Sequence, residues 1–91
     1  MEKQDIESML REPAKIKWAC RRGMLELDVL LGNFLNEAYS GLNLDDKILF
    51  VRLLSCTDPE LFAWLLGSEQ PEDKGLMRIT EAIRQHARSR F

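Results

Sequence analysis

Apolar residues recur along this chain at spacings of three and four, the repeat that lines up one face of an α-helix, and nowhere do they alternate with polar ones as in a half-buried strand. The spacing predicts about five helices. The first starts near Pro13, whose missing N–H costs nothing at a first helical position, and runs to Arg22 with Ile16, Ala19 and Cys20 on one face. Ahead of it, Ile6, Met9 and Leu10 have helical spacing but read as a loose extension. The second runs from Met24 to about Tyr39. Its Leu27, Leu30, Leu31, Phe34, Leu35 and Ala38 trace a continuous apolar stripe, and Ser40 and Gly41 end it. Gly32 within it disfavours the helix by roughly 1 kcal/mol against Ala and is expected to allow a close helix approach.

Asn43 is placed to cap a third helix that runs through Leu54. Asp45 and Asp46 lie in its first turn, where negative charge is favoured, and Leu49, Phe50, Leu53 and Leu54 form its buried face. Thr57-Asp58-Pro59-Glu60 combines an N-cap, a proline at the helix start and a carboxylate placed for a capping box. A short fourth helix therefore begins there, burying Leu61, Phe62, Leu65 and Leu66, with Gly67 closing it. Beyond a polar linker from Ser68 to Lys74, a last helix carries Leu76, Ile79 and Ile83, becomes almost wholly charged and is expected to fray at its end. Short connections favour packed neighbours. The fold expected is all-α, a single small bundle of about five helices forming one domain over residues 1–91, with 1–12 and 85–91 loose.

Composition agrees with a folded chain: 45% of the 91 residues are apolar and 31% charged, whereas disordered segments hold fewer large apolar side chains. A second core is excluded by the length. The formal charge of −2 hides an uneven distribution. Arg11, Lys15, Lys17, Arg21 and Arg22 against Glu12 make the early stretch basic, as do Arg84, Arg88 and Arg90 in the tail. Glu26, Asp28, Glu37, Asp45 and Asp46 against Lys47 make the middle acidic, so the chain could meet a partner of either sign. No apolar run is long enough to span a bilayer and the start is polar rather than signal-like. A cytoplasmic protein with no membrane insertion is expected.

Side-chain chemistry points away from catalysis. His86, the one histidine, lies in the charged C-terminal stretch, far from any Ser or Cys nucleophile, and reads as a solvated surface residue. Glycine-rich phosphate loops and metal-helix signatures are missing. Cys20 and Cys56 have no second Cys or His at ligand spacing, so no metal is expected. Cys20, despite Arg21 and Arg22 beside it, sits on an apolar face and reads as an inert core thiol. Trp64 alternates with core residues and reads as partly on the surface. Trp18, amid Lys15, Lys17 and Arg22, could anchor a protein interface as readily as pack inward.

Arg22-Gly23-Met24-Leu25-Glu26 admits two readings that can hold together. In one, Arg21 and Arg22 complement a helix C-terminus, Gly23 takes the positive φ of the joint and Glu26 sits in the next helix's first turn. In the other, Arg22 and Glu26 project as a paired charge patch, and Gly23 leaves room for a partner's backbone.

The run Trp18-Ala19-Cys20-Arg21-Arg22-Gly23-Met24-Leu25-Glu26-Leu27-Asp28 resembles the signature of the SdhE family of succinate dehydrogenase assembly factors, whose hallmark is Arg-Gly-x-x-Glu. Phe50-Val51-Arg52-Leu53-Leu54 and Asp58-Pro59-Glu60-Leu61-Phe62-Ala63-Trp64-Leu65 resemble the family's second block, and the two together span most of residues 15 to 66. The resemblance implies a small helical protein that is not itself an enzyme. It would bind the flavoprotein subunit of succinate dehydrogenase, and of fumarate reductase, and promote covalent attachment of FAD to a histidine of that partner. It further implies that the partner-binding residues are Arg22, Gly23 and Glu26, with Arg21 and Asp28 at the rim and Trp18 beside them. No cofactor of the chain's own is expected, only the FAD of the partner flavoprotein, and the chain is expected to be a monomer. Residues 1–14 and 69–91 match the family poorly and receive no role. A competing reading is an antitoxin-like regulatory module (CptB-like or YgfY-like); a near-neutral chain without a recognition-helix pattern argues against nucleic acid as its partner. On the assembly-factor reading, Gly23→Arg and Glu26→Ala keep a helical, cooperatively folding monomer and lose the partner.

Overall fold

A computed structural model of the protein describes residues 3–90. Six α-helices follow one another: α1 (Lys3–Arg11), α2 (Pro13–Ala19), α3 (Leu25–Glu37), α4 (Leu44–Leu54), α5 (Asp58–Leu65) and α6 (Lys74–Ser89), with a 3-10 turn at Tyr39–Gly41. Among the described residues there is no strand, and the elements form a small helical bundle, as expected, with one helix more.

The additional helix is the segment ahead of Pro13. A proline disfavours helical geometry in the residue before it, and Glu12 is accordingly extended (φ −124°, ψ 90°), so α1 and α2 are separate rods meeting at a corner. The Glu12 N–H closes α1 by bonding to the Ser8 and Met9 carbonyls at 3.0 and 3.2 Å. Ile6, Met9 and Leu10 do not form a loose extension: Met9 is buried, Ile6 and Leu10 pack on the core, and α1 lies against α4 and α2.

Local signals set most of the remaining boundaries. The Asn43 side chain accepts from the Asp46 N–H at 2.8 Å and caps α4. Thr57 and Glu60 form the reciprocal capping box of α5, and the Thr57 N–H bonds to Glu60 at 2.9 Å, which holds the Glu60 carboxyl below its ordinary range. Asp73, in a stretch expected to be only a linker, caps α6 by accepting the Leu76 N–H at 2.9 Å. Two helices end earlier than their patterns suggest. α2 stops at Ala19 instead of Arg22, and α3 stops at Glu37, with Tyr39 in the tighter 3-10 turn.

The core is one cluster, in which Ile16, Leu27, Leu31, Phe34, Phe50, Val51, Leu53, Leu61, Ile79 and Ile83 are nearly or fully removed from solvent. Each such burial stabilises by about 1.5–3 kcal/mol. Phe34 and Phe50 meet at 5.4 Å between ring centres, and Tyr39 reaches Phe50 at 5.5 Å. α6 packs across α3, α4 and α5. Its far end holds on: His86 is only 17% exposed at its side chain, meets Phe34 edge-on at 5.5 Å and lies 3.0 Å from Glu37. Arg90 bonds the same carboxylate. His86 is therefore a packed residue rather than a solvated one, and α6 runs to Ser89. Not every apolar position goes inside, because Phe62 on α5 and Leu66 just past its end, expected in the core, are 44% and 39% exposed.

Candidate protein-docking site

The joint between α2 and α3 is built on Gly23, the one residue with positive φ (85°) among those described. An added Cβ would meet nothing within 4 Å, so glycine is required by backbone conformation and not by crowding. The two helices it joins leave a groove of about 360 Å³ lined by Lys17, Cys20, Arg21, Asp28, Val29 and Gly32. Gly32 was expected to let another helix come close; no atom lies within 4 Å of where its side chain would be, and it widens the groove instead. Cys20, also lining the groove, is 3% exposed, and burial pushes its thiol up to about 12, against the opposing pull of Arg22.

Around this joint three large apolar side chains are exposed. Trp18 is 73% exposed, Leu25 74% and Val29 49%. Leu25 and Val29 stand one turn apart on α3 and so share a face. The Arg21 guanidinium lies 5.8 Å from the centre of the Trp18 ring, a cation–π arrangement in which both groups remain exposed. Glu26 is exposed in the first turn of α3. Trp18 and Arg21 thus flank the Gly23 joint on the α2 side, and Leu25, Glu26 and Val29 on the α3 side, all exposed. Leu25 and Val29 were missed by sequence reading, since periodicity marks a residue as apolar without saying which face is left uncovered.

Arg22 does not project with Glu26 as a paired patch. Its side chain turns inward and is 17% exposed. Nε donates to Asp58 Oδ1 at 2.8 Å, one terminal nitrogen donates to the Ala19 and Leu54 carbonyls at 3.1 and 2.9 Å, and the other to the Cys56 carbonyl at 2.8 Å. Ala19 and Leu54 are the last residues of α2 and α4, whose carbonyls have no partner within their own helices, and Asp58 opens α5. One guanidinium ties three helix ends together. Asp28 is likewise drawn in, accepting the Arg22 main-chain N–H at 2.6 Å. α2 has by then already closed, the Arg21 N–H bonding the Trp18 carbonyl at 3.0 Å in a tighter last turn.

Opposite charges distant in sequence also pair within the molecule, Arg22 with Asp58, Arg78 with Asp46, Arg52 with Asp73 and Arg90 with Glu37, the last of these joining the basic tail to the acidic middle stretch. Among the described residues no group of three or more His, Cys, Asp or Glu side chains could hold a metal ion, and no helix is long and apolar enough to cross a membrane.

Fold and surface together define a small six-helix protein in which Trp18, Leu25 and Val29 are exposed beside an interhelical joint flanked by the charges of Arg21 and Glu26, while Leu44, Phe62, Leu66 and Met77 are exposed elsewhere. The chain belongs to the family described as flavinator of succinate dehydrogenase, which matches residues 14–87 and so extends beyond the two sequence blocks through most of α6. It is 53% identical over 74 residues to the FAD assembly factor SdhE of Shewanella oneidensis, covering 81% of this chain and 90% of that one. It is 48% identical over 77 residues to the protein of the same description from Photorhabdus laumondii, covering 85% and 88%. A solution structure of a UPF0350 protein superposes with a TM-score of 0.71 at 40% identity, over 99% of this chain and 89% of that one.

Proposed function

We propose that this protein is an FAD assembly factor: it binds the flavoprotein subunit of succinate dehydrogenase, and that of fumarate reductase, and promotes covalent attachment of FAD to the partner. Membership of the flavinator family and relatives described as FAD assembly factors support the activity. The observation that carries the docking site is the Gly23 joint, where Trp18 and Leu25 are each nearly three-quarters exposed beside the free charges of Arg21 and Glu26. Large apolar side chains flanked by charge are the usual anchors of a protein interface. The chain works as a cytoplasmic monomer, engages no nucleic acid, holds no cofactor of its own and leaves formation of the flavin bond to the partner.

A binding protein of this kind accelerates a reaction in its partner only by preferring one of the partner's conformations. A tenfold preference corresponds to about 1.4 kcal/mol, well within what a few buried side chains provide. Trp18, Leu25 and Val29 supply apolar area that needs no reorganisation, while Arg21 and Glu26, of opposite sign, fix the orientation of the docked surface. Flavoprotein subunit co-expressed with and without this protein tests the reading, with covalent flavin scored by fluorescence of the denatured band. The band is expected to depend on the wild-type protein and to be lost with Glu26→Ala, whose circular dichroism stays that of the wild type. A band of equal strength without the protein would overturn the proposal.

A further inference from the structure

We propose that Arg22, the arginine of the Arg-Gly-x-x-Glu motif, is a positioning residue that sets the Gly23 joint from within, with Asp58 as its anchor, and does not touch the docked partner. The proposal rests on the docking reading of the Gly23 face and assigns the motif's members different tasks. A guanidinium has five N–H donors. Four of the Arg22 donor interactions go to Asp58 and to the carbonyls of Ala19, Leu54 and Cys56, all between 2.8 and 3.1 Å. The side chain is 17% exposed, whereas Arg21 and Glu26 beside it are open to solvent. Little of Arg22 is left to offer a partner.

What the fork holds is the attitude of the joint. Two of its acceptors, Ala19 and Leu54, are carbonyls at the C-terminal ends of α2 and α4, where positive charge is favoured. Its own main-chain N–H is fastened to Asp28 at 2.6 Å, inside the first turns of α3. The stretch Arg22-Gly23-Met24, which leads into the face carrying Leu25 and Glu26, is thereby tied at both its side-chain and main-chain ends. This places the two sequence blocks in one device: Asp58, Leu54 and Cys56 flank and belong to the second block, and they hold the arginine of the first across 32 to 36 residues of chain.

Lysine at position 22 keeps the charge but has no planar fork, so it separates a charge that meets the partner from a fork that spans three helix ends. Purified flavoprotein subunit is titrated with the full chain carrying Arg22→Lys, Asp58→Asn, both together, Trp18→Ala or Glu26→Ala, and amide exchange of residues 22–26 is followed in each free protein. Arg22→Lys and Asp58→Asn are each expected to weaken the complex by about tenfold and to speed exchange at the joint, the double variant being no worse than Arg22→Lys because both changes break one network. Trp18→Ala and Glu26→Ala weaken the complex while exchange stays that of the wild type. If Arg22→Lys weakens binding and leaves exchange at the joint unchanged, Arg22 meets the partner directly and the proposal falls. This comparison stands even where Asp58→Asn fails to fold. Wild-type binding by both Trp18→Ala and Glu26→Ala would mean that the docking face lies elsewhere, which removes the premise whatever the exchange rates show.

Discussion

At its N-terminal end α3 is fastened by Arg22 and Asp28, and at its C-terminal end by Glu37 with His86 and Arg90. Both ends use charged side chains, yet the surroundings differ. The Arg22 guanidinium is largely covered, and three of its four bonds go to main-chain carbonyls that cannot turn away. Glu37 and Arg90 are 46% and 36% exposed and bond side chain to side chain. Exposed pairs are screened by salt and hold little of a fold together, whereas a covered charge leaves several polar groups unsatisfied when it is removed. The first arrangement shapes a surface; the second tacks down the end of a helix already packed through Ile79 and Ile83.

The largest effect expected from breaking this contrast is at Arg22. Arg22→Ala strands the Leu54 and Cys56 carbonyls and the Asp58 carboxylate, and is expected to lower stability by about 3 kcal/mol in urea titration. Next comes Gly23→Ala, which places a side chain at φ 85° in open space and is expected to cost about 1 kcal/mol while unfolding stays cooperative. Gly23→Arg carries the same backbone cost, so any greater loss of partner binding in that variant reflects a bulky side chain met by the partner. The smallest effect is at Glu37. Its bonds to Arg90 and His86 hold its carboxyl below the ordinary 4.5, so its contribution is complete above that pH and fades as pH falls through the lowered value. Thermal unfolding of Glu37→Gln should therefore differ slightly from wild type at neutral pH, converge with it in acid and converge also at high salt. A difference as large as that of Arg22→Ala would erase the distinction between the two ends.

What could be read in the sequence was what neighbours decide. Asn43 capping α4, the box of Thr57 and Glu60, and Gly23 at positive φ each depend on residues within a turn of one another, and each is found where the letters place it. Met9 and His86 were misjudged, and of the two readings of Arg22 only the one against a helix C-terminus fits its inward side chain, because their surroundings are supplied by distant segments: α4 beside α1, Phe34 and Glu37 beside His86, Leu54 to Asp58 around Arg22. Apolar spacing likewise gave α5 a face without saying how wide the covered part is, so Phe62 and Leu66 were placed inside when only Leu61 and Leu65 are. The motif at the joint was legible as letters. Its division into an inward arginine and an outward glutamate needed the coordinates of a segment more than thirty residues away.

The arginine fork also bears on how such a chain changes over generations. A relative that loses the carboxylate at the place of Asp58 gives up the anchor of its arginine, and one that gains or loses a single residue within α3 or α4 turns everything beyond it by about 100° around the helix axis. On this account the two blocks are expected to be kept as a pair at a fixed distance. Between the end of α5 and Asp73 the ties are looser, Arg84 holding the Gly67 and Glu69 carbonyls through exposed hydrogen bonds of 3.0 and 3.4 Å, so a change of length there is expected to cost less than one within α3 or α4.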